Sequence, residues 1–138
     1  MREMYAGYVA RLGVSHERTL QTGHNLALLS VSLGHWDEAT TFLRDQLLPA
    51  ARQSLEADHH LTLNFNLNLA AALRGNPECT RDDLLEAEAI MQDVLQRRRR
   101  VCGPAHPDTR RLEESLYVTR TKLARTSTQQ SGGGGARP

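Results

Sequence analysis

Asp58-His59-His60-Leu61-Thr62-Leu63-Asn64-Phe65-Asn66-Leu67-Asn68-Leu69-Ala70 is the stretch whose reading decides the fold. From Leu61 to Leu69 apolar and polar residues alternate, the period of a half-buried strand. The same wording occurs earlier in the chain. His16, Thr19-Leu20 and Asn25-Leu26-Ala27 return as His59, Thr62-Leu63 and Asn68-Leu69-Ala70, each displaced by 43. A third copy opens at His106-Pro107-Asp108-Thr109, displaced by 47 from the second. The first copy lies in a segment with helical spacing. Leu20, Leu26-Ala27 and Val31 share one face, and Leu28, Leu29 and Leu33 widen it. Residues 61–74 are therefore expected to be helical as well, with Leu63, Leu67 and Ala70 on one face. A lone strand in such an array would leave its backbone groups without partners.

The rest of the chain fits the same period. Met1, Met4, Tyr5, Tyr8, Val9 and Leu12 form a helical stripe ended by Gly13, with Ser15 as the expected cap of the next helix. Trp36, Ala39, Leu43, Leu47 and Ala50-Ala51 mark a third helix. Pro49 inside it predicts a kink, or a break near Leu48. Leu84, Ala87, Met91 and Val94-Leu95 mark another, capped by Asp82 or Asp83. Leu112, Leu116 and Leu123 mark the last, capped by Asp108 or Thr109. The unit is a helix–turn–helix, arranged as a half unit (1–12), two units (13–55 and 56–101) and a half unit (102–125). The expected architecture is all-α, an α-solenoid of antiparallel helix–turn–helix repeats with about six helices. Residues 126–138, with their run of four glycines, read as a disordered tail or linker.

Composition agrees. Aromatic residues are only 4% of the chain, so the core must be built from Leu, Ala and Val, which favours helices. Two cysteines without paired spacing, and an N-terminus too polar for a signal peptide, point to a reducing, cytoplasmic setting. No apolar run approaches the roughly 20 residues of a membrane span. The net charge of +1 hides a split. Residues 1–96 carry 7 basic and 13 acidic side chains, whereas 97–125 carry 9 and 3.

Leu12-Gly13 with His16 and Thr19-Leu20, then Asn25-Leu26-Ala27, then Leu33-Gly34 with Trp36-Asp37-Glu38-Ala39, resembles the kinesin-light-chain type of tetratricopeptide repeat. So does the connector Cys102-Gly103-Pro104-Ala105-His106-Pro107-Asp108-Thr109. The resemblance spans roughly 4–125. It implies a non-catalytic module whose first helices line a concave groove for a peptide or partner segment. It assigns groove contact to Asn25 and Asn68, with Gln21 and Asn64 one turn earlier and His24, Leu28, Leu67 and Arg111 as companions. An amide both donates and accepts, so it can pair with a peptide group whatever the ligand's sequence. The competing reading is that these amides tie neighbouring helices together. The third copy has Ser115-Leu116-Tyr117 in place of Asn-Leu-Ala.

Other chemistry finds little support. His16, His59 and His106 occupy one repeat position, where they are expected to pack or cap a helix start rather than converge on a metal. No catalytic order of residues and no cofactor motif emerges. The Arg97–Arg100 run reads as a basic last turn complementing the helix dipole. No aromatic residue interleaves it, which argues against nucleic acid. Two alternatives to peptide binding stay open: a fragment of a longer scaffold that stacks or self-associates through its terminal helices, and a basic nucleic-acid module using 97–125.

Overall fold

A computed structural model of the chain describes the backbone of residues 2–135 and the side chains of residues 2–125. Its described residues form six helices. They are α1 (Arg2–Leu12), α2 (Glu17–Ser32), α3, α4 (His60–Gly75), α5 (Arg81–Cys102) and α6 (Pro107–Gly135). The third, α3, is continuous over 36–54: α-helical at Trp36–Phe42, π-helical at Leu43–Leu47 and α-helical again at Leu48–Ser54. The expected tail at 126–138 lies outside the residues described in full.

The strand-like stretch is helical throughout. Helices α2 and α4 occupy ranges displaced by the repeat period of 43, so the self-similarity of the sequence is a self-similarity of structure. Successive helices pack on one another, and α4 sits centrally against α2, α3 and α5. The arrangement is an all-α solenoid with α2, α4 and α6 as the first helices of the repeats. Its core is one contiguous cluster in which Leu20, Leu43, Leu47, Leu61, Phe65, Met91 and Val94 are fully buried. Each such large side chain stabilises the fold by about 1.5–3 kcal/mol relative to solvent exposure.

The connector histidines share one task. The Nδ1 atoms of His16, His59 and His106 each accept a hydrogen bond, from the backbone N–H of Arg18, Leu61 and Asp108 respectively, all at 3.1 Å. His16 and His59 are the N-caps of their helices. The ring nitrogen does what a Ser or Asp oxygen does at most helix starts. Ser15 is therefore not the cap of α2. Nor do Asp108 or Thr109 cap α6, which begins at Pro107. For α5 the cap is Thr80 rather than Asp82 or Asp83. Asp83 completes a capping box by accepting from the Thr80 N–H. Gly13 and Gly103, at matching places before the first and third copies, have φ of 88° and 87°, where L-residues are strained.

Two apolar expectations need correction. Helix α2 packs on three neighbours, α1, α3 and α4, but Leu28, Leu29 and Leu33, expected to widen its apolar face, are exposed (47, 42 and 61%). In α1, only Tyr5 is buried, and Met4 is 58% exposed. Of the two outcomes expected of Pro49, a kink or a break near Leu48, the structure contradicts the break. No break occurs at Leu48. The Leu48 N–H donates to the Leu43 carbonyl, five residues back, and this wider turn immediately precedes Pro49. The extra width relieves the clash that a proline ring makes with the carbonyl four residues before it.

Candidate partner-binding groove

Positions 64, 67, 68, 71 and 74 of α4 follow helical spacing and form one stripe along the central helix. In the fold that stripe is the floor of a cleft of about 560 Å³. Leu28 of α2 forms one side. Asp108, Arg111, Leu112 and Ser115 of α6 form the other, and Met91 and Arg98 reach in from α5. The volume falls within the range of ligand-binding clefts, about 300–1,000 Å³.

The polar groups of this cleft are held in place. Asn68, only 8% exposed, sets its Nδ2 3.2 Å from His24 Nδ1. The amide donates to the ring nitrogen, which puts the imidazole proton on Nε2. The ring of His24 lies 6.1 Å from that of Phe65 at a 48° tilt. Burial, and secondarily the charge of His60, hold the His24 pKa below its ordinary value of 6.5. At Asn64 the Oδ1 accepts from Arg98 at 2.8 Å. Arg111 stands 3.8 Å from Asp108.

Five of the eight candidate residues thus come together in one cleft: Leu28, Asn64, Leu67, Asn68 and Arg111. His24 stands behind Asn68 as its partner. Gln21 and Asn25 do not line the cleft. They are exposed, and Gln21 Nε2 donates to Asn25 Oδ1 at 3.5 Å. Asn25 and Asn68 are repeat equivalents, but among the described residues no first-type helix precedes α2 to offer Asn25 a partner. Ala71 and Arg74, which the sequence reading passed over, continue the Asn64–Leu67 stripe by one and two turns, so spacing alone could have found them. Ser115 stands where the first two copies have Asn.

Arg98 was hidden inside the Arg97–Arg100 run, whose members take separate paths. Arg97 pairs with Asp58 at 2.7 Å and Asp93 at 3.0 Å, which hold its pKa above the usual value. Arg99 pairs with Glu113 at 3.1 Å. Arg98 enters the groove, and Arg100 is exposed. A second cleft, of about 510 Å³, lies between α1 and α3, lined by Tyr5, Leu26, Ser30 and Phe42 among others, with the Arg2–Glu38 ion pair at its edge. Among the described residues, no group of three or more His, Cys, Asp or Glu is placed to hold a metal ion. No described helix is long and apolar enough to cross a membrane.

Residues 78–108 match a family model described as Tetratricopeptide repeat. That match supports a tetratricopeptide repeat protein. It covers α5 and the connector into α6, the segment that includes the Thr80 capping box, the arginine run and His106. A comparison with curated proteins finds no match. Tetratricopeptide repeats mediate protein–protein interaction, which favours a binding module over an enzyme.

Proposed function

We propose that this chain is a non-catalytic interaction module that binds a peptide or partner segment in the groove formed by α2, α4 and α6. One observation carries the reading: a single cleft on the first-helix side gathers fixed amides, the exposed Leu28 beside half-buried Leu67, and guanidinium groups from four helices. Leu28, 47% exposed beside Asn64 and Leu67, is apolar surface open to a ligand. The connector and its repeated histidine support the kinesin-light-chain type of repeat, and the cysteine usage supports a cytoplasmic protein. The test is capture of peptides from a degenerate library by the full chain and by Leu28→Ser combined with Asn64→Ala. Captured peptides should be lost from the double variant while its circular dichroism is unchanged. Equal capture would remove the groove from consideration.

A second reading, self-association through a terminal helix, is favoured by the outer face of α6, where Tyr117 is 73% and Val118 46% exposed. Sedimentation velocity decides it. A concentration-dependent dimer abolished by Tyr117→Glu would establish it, and a monomer at all concentrations would end it.

A further inference from the structure

The second cleft, between α1 and α3, carries polar groups that the fold leaves unused. Ser30 is displaced by 43 from Leu73, and matching the helix ends Leu12-Gly13 and Cys102-Gly103 sets Tyr5 against Leu95. Leu73 and Leu95 are buried core residues. Here hydroxyl-bearing residues take both places, and both line the cleft of about 510 Å³. Ser30 is only 6% exposed and Tyr5 8%, yet among the described residues neither hydroxyl has a hydrogen-bond partner. A nearly buried hydroxyl without a partner is unfavourable, so two of them lining one cleft mark a site for a hydrogen-bonding ligand. Burial holds the Tyr5 pKa above its ordinary value of 10, so the phenol is neutral and can both donate and accept.

The remaining lining sets the shape and charge of the occupant. The rings of Tyr5 and Phe42 stand edge to face, with centroids 5.1 Å apart at 89°, and Leu26 adds apolar surface. A third ring can pack against such walls. Glu38 is held by Arg2, an ion pair that ties the two walls together and favours an occupant small enough to lie between them. Asp37 receives the Asn76 amide at 3.3 Å and has no cation within ion-pair distance among the described residues. Its negative charge therefore stays available at the rim. Leu26 and Ser30 lie one turn apart on the face of α2 opposite Leu28, so this cleft and the partner groove are on opposite sides of that helix.

From this juxtaposition we infer that the cleft is a second binding site, for a small free molecule whose aromatic ring joins a hydrogen-bonding group, met by Ser30 and Tyr5, to a cationic nitrogen, met by Asp37. The site does not depend on the groove.

Tyramine is the probe, with tyrosol as its neutral counterpart, each titrated into the full chain and followed by amide chemical shifts. Tyramine should give saturable shifts around Tyr5, Ser30 and Asp37. It should bind about five-fold more tightly than tyrosol, the scale of an exposed ion pair. Asp37→Asn should remove that difference. Ser30→Leu, which supplies the side chain of the second copy, should abolish binding while the circular dichroism is unchanged. Tyr5→Phe and Ser30→Ala should each weaken tyramine about three- to ten-fold. Both should leave the urea midpoint unchanged or raised, because neither hydroxyl is bonded in the fold. The Leu28→Ser, Asn64→Ala variant should bind tyramine as the wild type does. Shifts that do not saturate, or binding that survives both Ser30→Leu and Tyr5→Phe, would overturn the site. A lowered urea midpoint in Tyr5→Phe and Ser30→Ala alike would assign the hydroxyls to the fold and overturn it too. Equal affinity for the two probes would overturn the cationic class. Tighter binding of an acetylated, amidated Tyr-Lys dipeptide than of tyramine would overturn the free molecule in favour of a partner segment.

Discussion

Helices α2 and α4 are copies of one sequence element, yet equivalent positions meet different surroundings. Asn68 is buried and bonded to His24, whereas its equivalent Asn25 is exposed. Phe65 is fully buried at the centre of the core, whereas its equivalent Thr22 is a small polar side chain, also buried, whose hydroxyl donates to the Arg18 carbonyl at 2.9 Å. At Gly23 a side chain is crowded: a Cβ there would lie 2.4 Å from Leu47 Cδ2 and 3.2 Å from Tyr5 Cε2, so the end of Leu47 would have to shift. Its equivalent, Asn66, has room to donate to the Thr62 carbonyl at 3.1 Å. The difference teaches that the helix's place in the stack, rather than the repeat position, decides what a residue does. Helices α2 and α4 each pack on three others, but Asn68 of α4 meets His24 of α2, whereas among the described residues no first-type helix precedes α2 to meet Asn25, so the same motif letter is structural in one copy and solvated in the other.

Paired substitutions sharpen that comparison. The largest effect is expected at Phe65→Ala, which should lose about 3–5 kcal/mol in urea denaturation, against less than about 1 kcal/mol for Thr22→Ala. Comparable losses would mean that the two helices share one environment after all. Next comes Gly23→Ala, which forces the flexible end of Leu47 to move and should cost about 1–3 kcal/mol. Asn66→Ala should be neutral or stabilising by up to about 0.7 kcal/mol, because Asn is a weak helix former. A stabilising Gly23→Ala, gaining helix propensity without a clash, would break the contrast. For the amides, Asn68→Ala should cost about 1–2 kcal/mol and Asn25→Ala less than about 0.5 kcal/mol. The Asn68 loss should shrink when His24 is already Ala, which a double-mutant cycle measures.

The smallest effect concerns pH. The pKa of His24 is lower in the folded chain than its unfolded value near 6.5. The unfolded state therefore binds the proton more readily. The stability associated with neutral His24 is fully present above about pH 6.5 and is lost as pH falls through the window down to the folded pKa. His24→Gln keeps an acceptor for Asn68 and removes the titration. Its stability relative to wild type should rise as pH drops below 6.5. A pH-independent difference would show that His24 titrates alike in both states.

Much of this was legible in the sequence because the repeat constrains it. The period of 43 overrode the misleading alternation at 61–69, and the stripes Leu84–Leu95 and Leu112–Leu123 are buried as periodicity required. The groove was legible as far as one helix reaches: Asn64, Leu67 and Asn68 share a stripe whatever lies beside it. What the sequence hid was contact between helices. Nothing local distinguishes Arg98 from Arg97 or Arg99, since their paths depend on the rotation of α5 against α4 and α6. Leu28, Leu29 and Leu33 look like core because hydrophobicity cannot tell a packed neighbour from open surface, which for Leu28 is the groove. Histidine as a repeated cap was legible as one of two options, packing or capping, but Ser15, Asp108 and Thr109 nearby are the commoner caps and drew the explicit assignments.

The π turn in α3 has a mechanical consequence. Proline has no N–H to give, and the turn before it has already exchanged narrow hydrogen-bonded rings for wider ones. The helix is thus two rods with a joint. The first rod is seated by Trp36, whose ring lies so close to Gly75 that a Cβ there would be 2.8 Å away. The second is anchored through Leu48, Ala50 and Ala51 in the core. Flexing at the joint would let the Trp36 end follow α4 without disturbing that anchor, giving the groove floor compliance along its length. Amide hydrogen exchange reads this directly: faster exchange at 43–48 than across 84–95 of the unbroken α5 supports the joint, and equal protection removes it.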